Sequence, residues 1–456
     1  MTTNLTQSPN STPCVPTFER GDEVEIAQAL LDHYGDTNLR IAEGHFYYYR
    51  AEVGIWELLP NEEVEETVRS YAGAPIVPAG SAPRFLSLNS PKITGATKTL
   101  RSMLMARKLV APFELALPGV ALGKRFVHVE GGLITPMPHH PEDYARHAFP
   151  FEYDEHAAHP MLDAFFEDLF ADTDKADRDA RVRCLQQFVG TCLIGEATKH
   201  QACLFLVGDG GNGKSAFMEI MEAIFPASAI ASLPPQQFGG RFQLPALRGA
   251  LVNIVHEIPQ FEFDSTARFK SVISGERQTV EDKGRNPYQM APRAGHIFSC
   301  NNLPGTRDNS EGYWRRIIAV VFSKNIKKAA GFDPDIVKKI VAHELPGIVA
   351  WAIDGAASRQ ASNCYVQPRS SIDVKENWRQ DVNPVLAFVK DKLMVDSSAS
   401  TPSPRLYEIY CGWVKATGHG QLNISKFCRQ LNNLGHKSKH TRAGNVYGLT
   451  EDKTNR

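Results

Sequence analysis

The chain has 456 residues, enough for two or more domains with ample core. Its net charge of −1 at neutral pH means that any contact with nucleic acid must come from local basic clusters. Eight cysteines are scattered without a Cys-x-x-Cys pair, which fits reduced thiols and argues against a zinc knuckle. No apolar run approaches the roughly 18 residues of a membrane span and no secretory h-region opens the chain, so the sequence predicts a soluble, cytoplasmic protein with no membrane partner.

Residues 1–17 are rich in Thr, Ser, Asn and Pro and predict a disordered tail. An N-terminal α+β domain is expected over 18–150. Ile26, Leu30 and Leu31 suit a helix, and Gly44 to Arg50 followed by Gly54-Ile55-Trp56 suits a small antiparallel element. The aromatics Phe46 to Tyr49 beside Arg50 either stack on bases or fill that small sheet. Val127 to Ile134 reads as a hairpin turning at Gly131-Gly132. A helical module follows over 151–200, with stripes Leu162, Phe165, Phe166, Leu169, Phe170 and Val182, Leu185, Phe188, Val189, Leu193 joined by a solvated acidic loop, Asp172 to Asp177.

The most specific stretch comes next, in an ATPase domain placed over 201–360. Leu204 to Val207 suits a strand buried on both faces, and Gly208-Asp209-Gly210-Gly211-Asn212-Gly213-Lys214-Ser215 then fits G-x-x-x-x-G-K-[ST] in full. Ala216 is counted with these eight as a candidate nucleotide-binding residue, and Phe217, Ile220, Met221, Ile224 and Phe225 continue as one face of a helix. Glycines let successive N–H groups turn inward, the helix start adds partial positive charge, Lys214 reaches the outer phosphates and Ser215 can ligate Mg²⁺. ATP with Mg²⁺ is therefore the expected ligand.

Ala250 to Val255 is a second core strand, ending at His256-Glu257, where a nucleotide hydrolase places its Mg²⁺ organiser and the group that orients attacking water. Glu257 is the candidate for both tasks, whereas His256 stands where many such enzymes carry a second carboxylate. A third strand, Gly295 to Cys300, runs into Asn301, whose amide can reach a γ-phosphate and the lytic water. Ile317 to Phe322 is a fourth, preceded by Trp314-Arg315-Arg316, a place for an arginine finger.

In the last part, 361–456, Met394 to Pro404 reads as a polar connector. Beyond it, Leu406, Tyr407, Tyr410 and Trp413 mark one helix and Ile424, Phe427, Leu431 and Leu434 another, closed by Gly435. A basic turn with Lys437, Lys439 and Arg442 leads into a final strand. Helices followed by a basic hairpin resemble a winged helix, with Lys426 and Arg429 on the open side of its second helix, and duplex DNA is a candidate ligand.

Together these stretches resemble the superfamily 3 helicases, specifically the phage and plasmid primase–helicase group that includes the poxvirus primase–helicase. The likeness covers nearly everything after Asp22. It includes the phosphate loop, the strand ending in Glu257, Phe269 to Glu276 as a Lys-x-x-x-x-Gly-Asp/Glu element, Asn301-Asn302-Leu303-Pro304 and Trp314-Arg315-Arg316. Phe151-Glu152-Tyr153-Asp154 lies upstream of these, and Leu406 to Tyr410 with Trp413 lies downstream. The resemblance implies an α/β fold with an AAA+ core assembled as a ring, usually a hexamer, with ATP held between subunits. Lys214, Ser215 and Glu257 would act from one copy and Arg315 or Arg316 from the next, Arg316 being favoured.

The same resemblance implies translocation on single-stranded or forked DNA, three-prime to five-prime, in the cytoplasm of a bacterial host, with a primase or polymerase as a possible partner. A hairpin between the second and third core strands would line the pore, with Lys283 and Arg285 at its tip, while Lys270 faces either DNA or the neighbouring nucleotide. Residues 18–150 show no clustered catalytic carboxylates or zinc ligands, so no primer synthesis is expected. An origin-binding initiator that melts or marks DNA is the alternative. A protein remodeller is a third reading, against which the Lys283-Gly284-Arg285 tip speaks.

Overall fold

The structure, a computed structural model, describes residues 15–452 apart from 260, 261, 264, 265, 285, 307, 309, 327–331, 397, 419 and 443. At its centre lies a five-stranded parallel sheet in the order Ile230–Ala231, Val252–Val255, Gly295–Cys300, Cys203–Val207, Ile317–Val321. Four of these strands are the apolar runs read from the sequence. The edge strand Ile230–Ala231 is two residues long, too short to leave a periodic signature.

Continuous apolar runs are what a parallel sheet covered on both faces requires. The central strand shows why: Leu204 and Leu206 enter one core with the helices, while Cys203 and Phe205 enter a second with Phe238, Phe269, Trp314 and Trp378. Helix Lys214–Ile224 buries Phe217, Ile220, Met221 and Ile224 completely, each contributing about 1.5–3 kcal/mol.

Helices Pro160–Leu169 and Lys175–Leu193 share that first core with the long helix Ile336–Ser362. The acidic stretch before the second of them is exposed at Asp172 and Asp174, as a solvated loop would be, but its end is built into the fold. Asp174 caps the helix by accepting from Asp177 N–H (3.0 Å), and Asp177 is buried against Arg181 (2.9 Å), which also donates to Val321 O (2.8 Å). Where Lys175–Leu193 crosses Ile336–Ser362, a Cβ on Gly190 would strike Ala352 O and one on Gly355 would strike Gln186 O. Gly190→Ala is therefore expected to lower unfolding free energy by about 1–3 kcal/mol in denaturant titration, with the slope unchanged.

Upstream, helices Glu23–Tyr34, Asn61–Ser70 and Ser90–Ala106 pack on an antiparallel sheet of Leu39–Ala42, His45–Arg50 and Ile55–Leu59. Phe46, Tyr47, Tyr48 and Tyr49 are all buried there, and Arg50 pairs with Glu52 and Glu57, so this cluster fills the sheet and the base-stacking alternative falls. A four-stranded sheet of Gly119–Leu122, Arg125–Glu130, Leu133–Pro138 and Ala148–Phe149 contains the expected hairpin.

At the other end, helices Ser403–Thr417 and Ile424–Asn433 pack with Pro384–Lys392 around Phe388, Tyr410 and Phe427. The stretch read as a connector holds two short strands, Leu393–Val395 paired with Leu449–Glu451 and Thr401–Pro402 paired with Gly444–Tyr447. Lys437, Lys439 and Arg442 are exposed on or beside the hairpin Lys439–Thr441/Gly444–Tyr447, and Lys426 and Arg429 are exposed on helix Ile424–Asn433. No helix among the described residues is long and apolar enough to cross a membrane.

Candidate nucleotide site and the hairpin beside it

The loop Gly208 to Gly213 joins the central strand to helix Lys214–Ile224 at the C-terminal edge of the sheet. Its glycines are required by geometry. Gly211 and Gly213 have φ of 80° and 86°, and a Cβ on Gly208 would strike Phe322 O. The loop is tethered to its neighbours by Gly208 N–H to Cys300 O (3.3 Å), Asn212 Nδ2 to Phe322 O (2.5 Å) and Ile326 N–H to Gly211 O (3.0 Å). Asn212, which the motif leaves free, thereby fixes the loop to the end of the outer strand.

Lys214 is 7% exposed. Its ammonium donates to Gly208 O, Asp209 O (2.9 Å) and Asn212 Oδ1 (3.2 Å). Burial holds its pKa below the ordinary lysine value, opposed by Cys300, Asp209 and Glu257. A cation kept in this position has desolvation to recover, and anionic phosphates laid on the loop would supply the counter-charge.

A cleft of about 400 Å³ opens over the loop. Parallel strands bring three separate sequence signals into it: the loop from Gly210 to Ala216, Glu257 two residues beyond Val252–Val255, and Asn301 directly after Gly295–Cys300. Ser215, Glu257 and Asn301 are exposed to it. Ser215 and Glu257 offer hard oxygen donors of the kind Mg²⁺ takes alongside phosphate and water. The described residues contain no group of three or more His, Cys, Asp or Glu that would hold a metal unaided.

His256 also lines the cleft and is engaged by a carboxylate. Its Nε2 lies 2.7 Å from Glu222 Oε1 of the loop helix, bracing that helix against the neighbouring strand. Phe332, Asp333 and Pro334 also line the cleft, a contribution no sequence motif announced.

Both arginines lie elsewhere. Cys203 pairs with Ile317 and Val207 with Val321, so the loop follows the C-terminal end of one strand while Arg315 and Arg316 precede the N-terminal end of its parallel neighbour. A five-residue strand separates the two edges by roughly 16 Å. Arg316 is buried, with Nη2 donating to Ser274 Oγ (2.7 Å) and Nη1 to Gly312 O, and burial lowers its pKa. Arg315 is exposed and donates to Gln201 Oε1 (2.8 Å).

The hairpin stands between the third and fourth core strands once the edge strand is counted, as Gln278–Val280 paired with Tyr288–Met290. Lys283 is exposed in its turn, and Arg285 lies outside the described residues. Arg248 Nη2 clamps both oxygens of Asp282 at 2.7 Å, and His45 of the N-terminal region reaches the same carboxylate at 3.2 Å. Lys270, on helix Thr266–Ile273, is ion-paired with Asp308 at 2.8 Å. That lysine and hydroxyls including Thr266 hold the Asp308 carboxyl well below the usual range.

Comparison with known proteins adds family evidence. Residues 206–316 match a family described as of unknown function (DUF5906), and residues 380–455 match the family described as Poxvirus D5 protein-like. Two viral proteins named provisionally as helicases are similar. One, from Acanthamoeba polyphaga mimivirus, is 26% identical over 172 residues, covering 36% of this chain and 17% of that protein. The other, from Invertebrate iridescent virus 6, is 24% identical over 204 residues, covering 41% and 20%. The matched regions thus span a fifth or less of these relatives. Two solved structures of the NrS-1 C-terminal region share 12% and 10% identity, with TM-scores of 0.45 and 0.48, each covering 94% of this chain and 99% of that one. The phosphate loop, Glu257 and Asn301 thus share one cleft in a chain that is similar, over part of its length, to viral proteins named as helicases and, over its C-terminal segment, to the Poxvirus D5 protein-like family.

Proposed function

We propose that the chain is an ATP-driven DNA helicase of viral or mobile-element replication, with an AAA+ type core that works as a ring, a hexamer by family resemblance, moving three-prime to five-prime on single-stranded DNA. One observation carries the reading: loop, Glu257 and Asn301 share a cleft at one edge of the parallel sheet, while both arginines lie at the opposite edge. In this reading a guanidinium that neutralises charge on the transferred phosphate comes from a second copy.

In this reading Lys214 and the loop N–H groups hold the β- and γ-phosphates, and Ser215 and Glu257 would hold Mg²⁺. The ion supplies charge neutralisation on the phosphate oxygens. Glu257 orients and deprotonates the attacking water, and Asn301 positions it. Arg315 suits the finger better than Arg316, because it is exposed while Arg316 is spent on its own chain. Lys283, and by the family resemblance Arg285, would meet DNA phosphates without reading sequence. Lys270, committed to Asp308, suits the subunit seam rather than the pore. Lys437, Lys439 and Arg442 on a winged-helix-like module would engage the duplex of a fork.

ATP-dependent strand displacement on forked DNA by the purified chain tests the whole reading. Hydrolysis unaffected by single-stranded DNA, with no displacement, would refute it, and DNA binding with melting but no displacement would favour an initiator. The shared site has its own test. Arg315→Ala is expected to bind ATP normally and lose about 10³–10⁵ in turnover. Mixing it with Lys214→Ala copies should restore activity, since each copy supplies what the other lacks. Arg316→Ala should mainly lower stability, by about 1–3 kcal/mol, through its lost buried hydrogen bonds.

A further inference from the structure

A second cleft, of about 880 Å³, lies between the hairpin and the N-terminal region and shares no lining residue with the cleft over the phosphate loop. Asp282, Gly284 and Tyr288 form its hairpin wall, and helix Ser90–Ala106 forms the other. Thr94, Thr97, Lys98, Arg101, Ser102 and Met105 line that second wall at i, i+3, i+4, i+7, i+8 and i+11, one continuous helix face. The face is polar and basic where a helix packed against a neighbouring domain would be expected to be apolar.

The charges do not cancel. Every carboxylate lining the cleft is committed within the chain: Glu43 to Arg146 at 2.8 Å, Glu65 to Arg69 at 3.2 Å and Asp282 to Arg248 at 2.7 Å. Lys98 is exposed, and its ammonium has no ion pair among the described residues. The Arg101 guanidinium is pre-oriented, donating to Gly44 O (2.6 Å) and Asn61 Oδ1 (3.2 Å) and lying 4.5 Å from the Phe46 ring centre. The local field is therefore positive and backed by exposed Thr94 and Ser102 hydroxyls, which suits phosphate and sugar oxygens. Met105 and Val110, 62% and 47% exposed, offer apolar surface to base faces without reading their edges. Asp282 and Gly284, which flank Lys283, line this same cleft, so the two lysines bound one path.

We propose that this cleft carries the single-stranded DNA immediately beyond the hairpin turn, with Lys98 contacting a backbone phosphate next to those met by Lys283. The N-terminal region would then be the second wall of the DNA path. The inference rests on the helicase reading above, which supplies the strand at the hairpin.

Salt titration of labelled oligo(dT) binding to the full chain is the test. Lys98→Ala is expected to weaken binding about five- to tenfold and reduce the salt slope by about 0.7, the loss of one single-strand phosphate contact. Lys98→Glu should weaken it further and Lys98→Arg should restore it, all with unchanged DNA-free ATP hydrolysis. A photo-crosslinking amino acid in place of Met105 should label the oligonucleotide. Wild-type affinity and slope in both Lys98→Ala and Lys98→Glu would overturn the cleft assignment alone, provided that Lys283→Ala weakens binding. No oligonucleotide binding by the unaltered chain would overturn the helicase reading, and the cleft with it.

Discussion

Lys214→Ala is expected to lose ATP binding by about 10²–10⁴-fold, as two charge-assisted hydrogen bonds to phosphate would each contribute about 1.5–3 kcal/mol. The present contacts of Lys214 are three oxygens of its own loop. None of them joins distant elements, so the variant should remain folded. The loop's tethers to the sheet run through the Gly208 N–H, Asn212 and the Ile326 N–H, not through the ammonium. A nucleotide-free melting curve near that of the unaltered chain, together with no upward shift on adding ATP, would separate loss of binding from loss of fold. ATP at about 100 times its dissociation constant should stabilise the unaltered chain by about 2.7 kcal/mol. Retention of that shift by Lys214→Ala would show that the loop is not where phosphate binds.

Glu257→Gln should behave in the opposite way on binding and alike on turnover. The amide keeps the size of the carboxylate but cannot take a proton from water, so hydrolysis should fall by about 10²–10⁴ while the ATP-induced melting shift survives. Glu257 is exposed to the cleft and lies outside the buried cores, so replacement should not change nucleotide-free stability. Near-normal hydrolysis by this variant would pass the base role to another cleft residue. His256 is a poor substitute while it is held by Glu222.

These two variants and Arg315→Ala divide one reaction among binding, water activation and charge neutralisation from a second copy. Hydrolysis in a dilute monomer that matched the associated form would remove the reason for placing Arg315 at a shared site. The hairpin belongs to a different link in the chain of cause. Its turn is held at Asp282 by Arg248 and His45, so a change at the nucleotide edge that shifted the hairpin would carry part of the N-terminal region with it.

The parts of the candidate nucleotide site were legible from local pattern. A phosphate loop, an apolar strand ending in Glu257 and another ending in Asn301 announce themselves because each needs only a few consecutive residues; the parallel pairing that brings their ends to one edge is decided by the fold. Local pattern also located the buried face of helix Lys214–Ile224, while the hairpin came from the family resemblance. What local pattern could not supply was which polar groups become spent on the chain itself. Arg315 and Arg316 are adjacent and identical in sequence terms, yet one is exposed and the other is buried against Ser274 and Gly312, 42 and four residues away. Tyr47 to Tyr49, Asp177 and Lys270 likewise acquired their roles from partners distant in the chain or folded over them. The positive cleft beside the hairpin exists only because Glu43, Glu65 and Asp282 are neutralised elsewhere, two of them by partners far away in sequence. Composition counts those charges; only folding decides which of them cancel, because burial and pairing depend on approach in space rather than order along the chain.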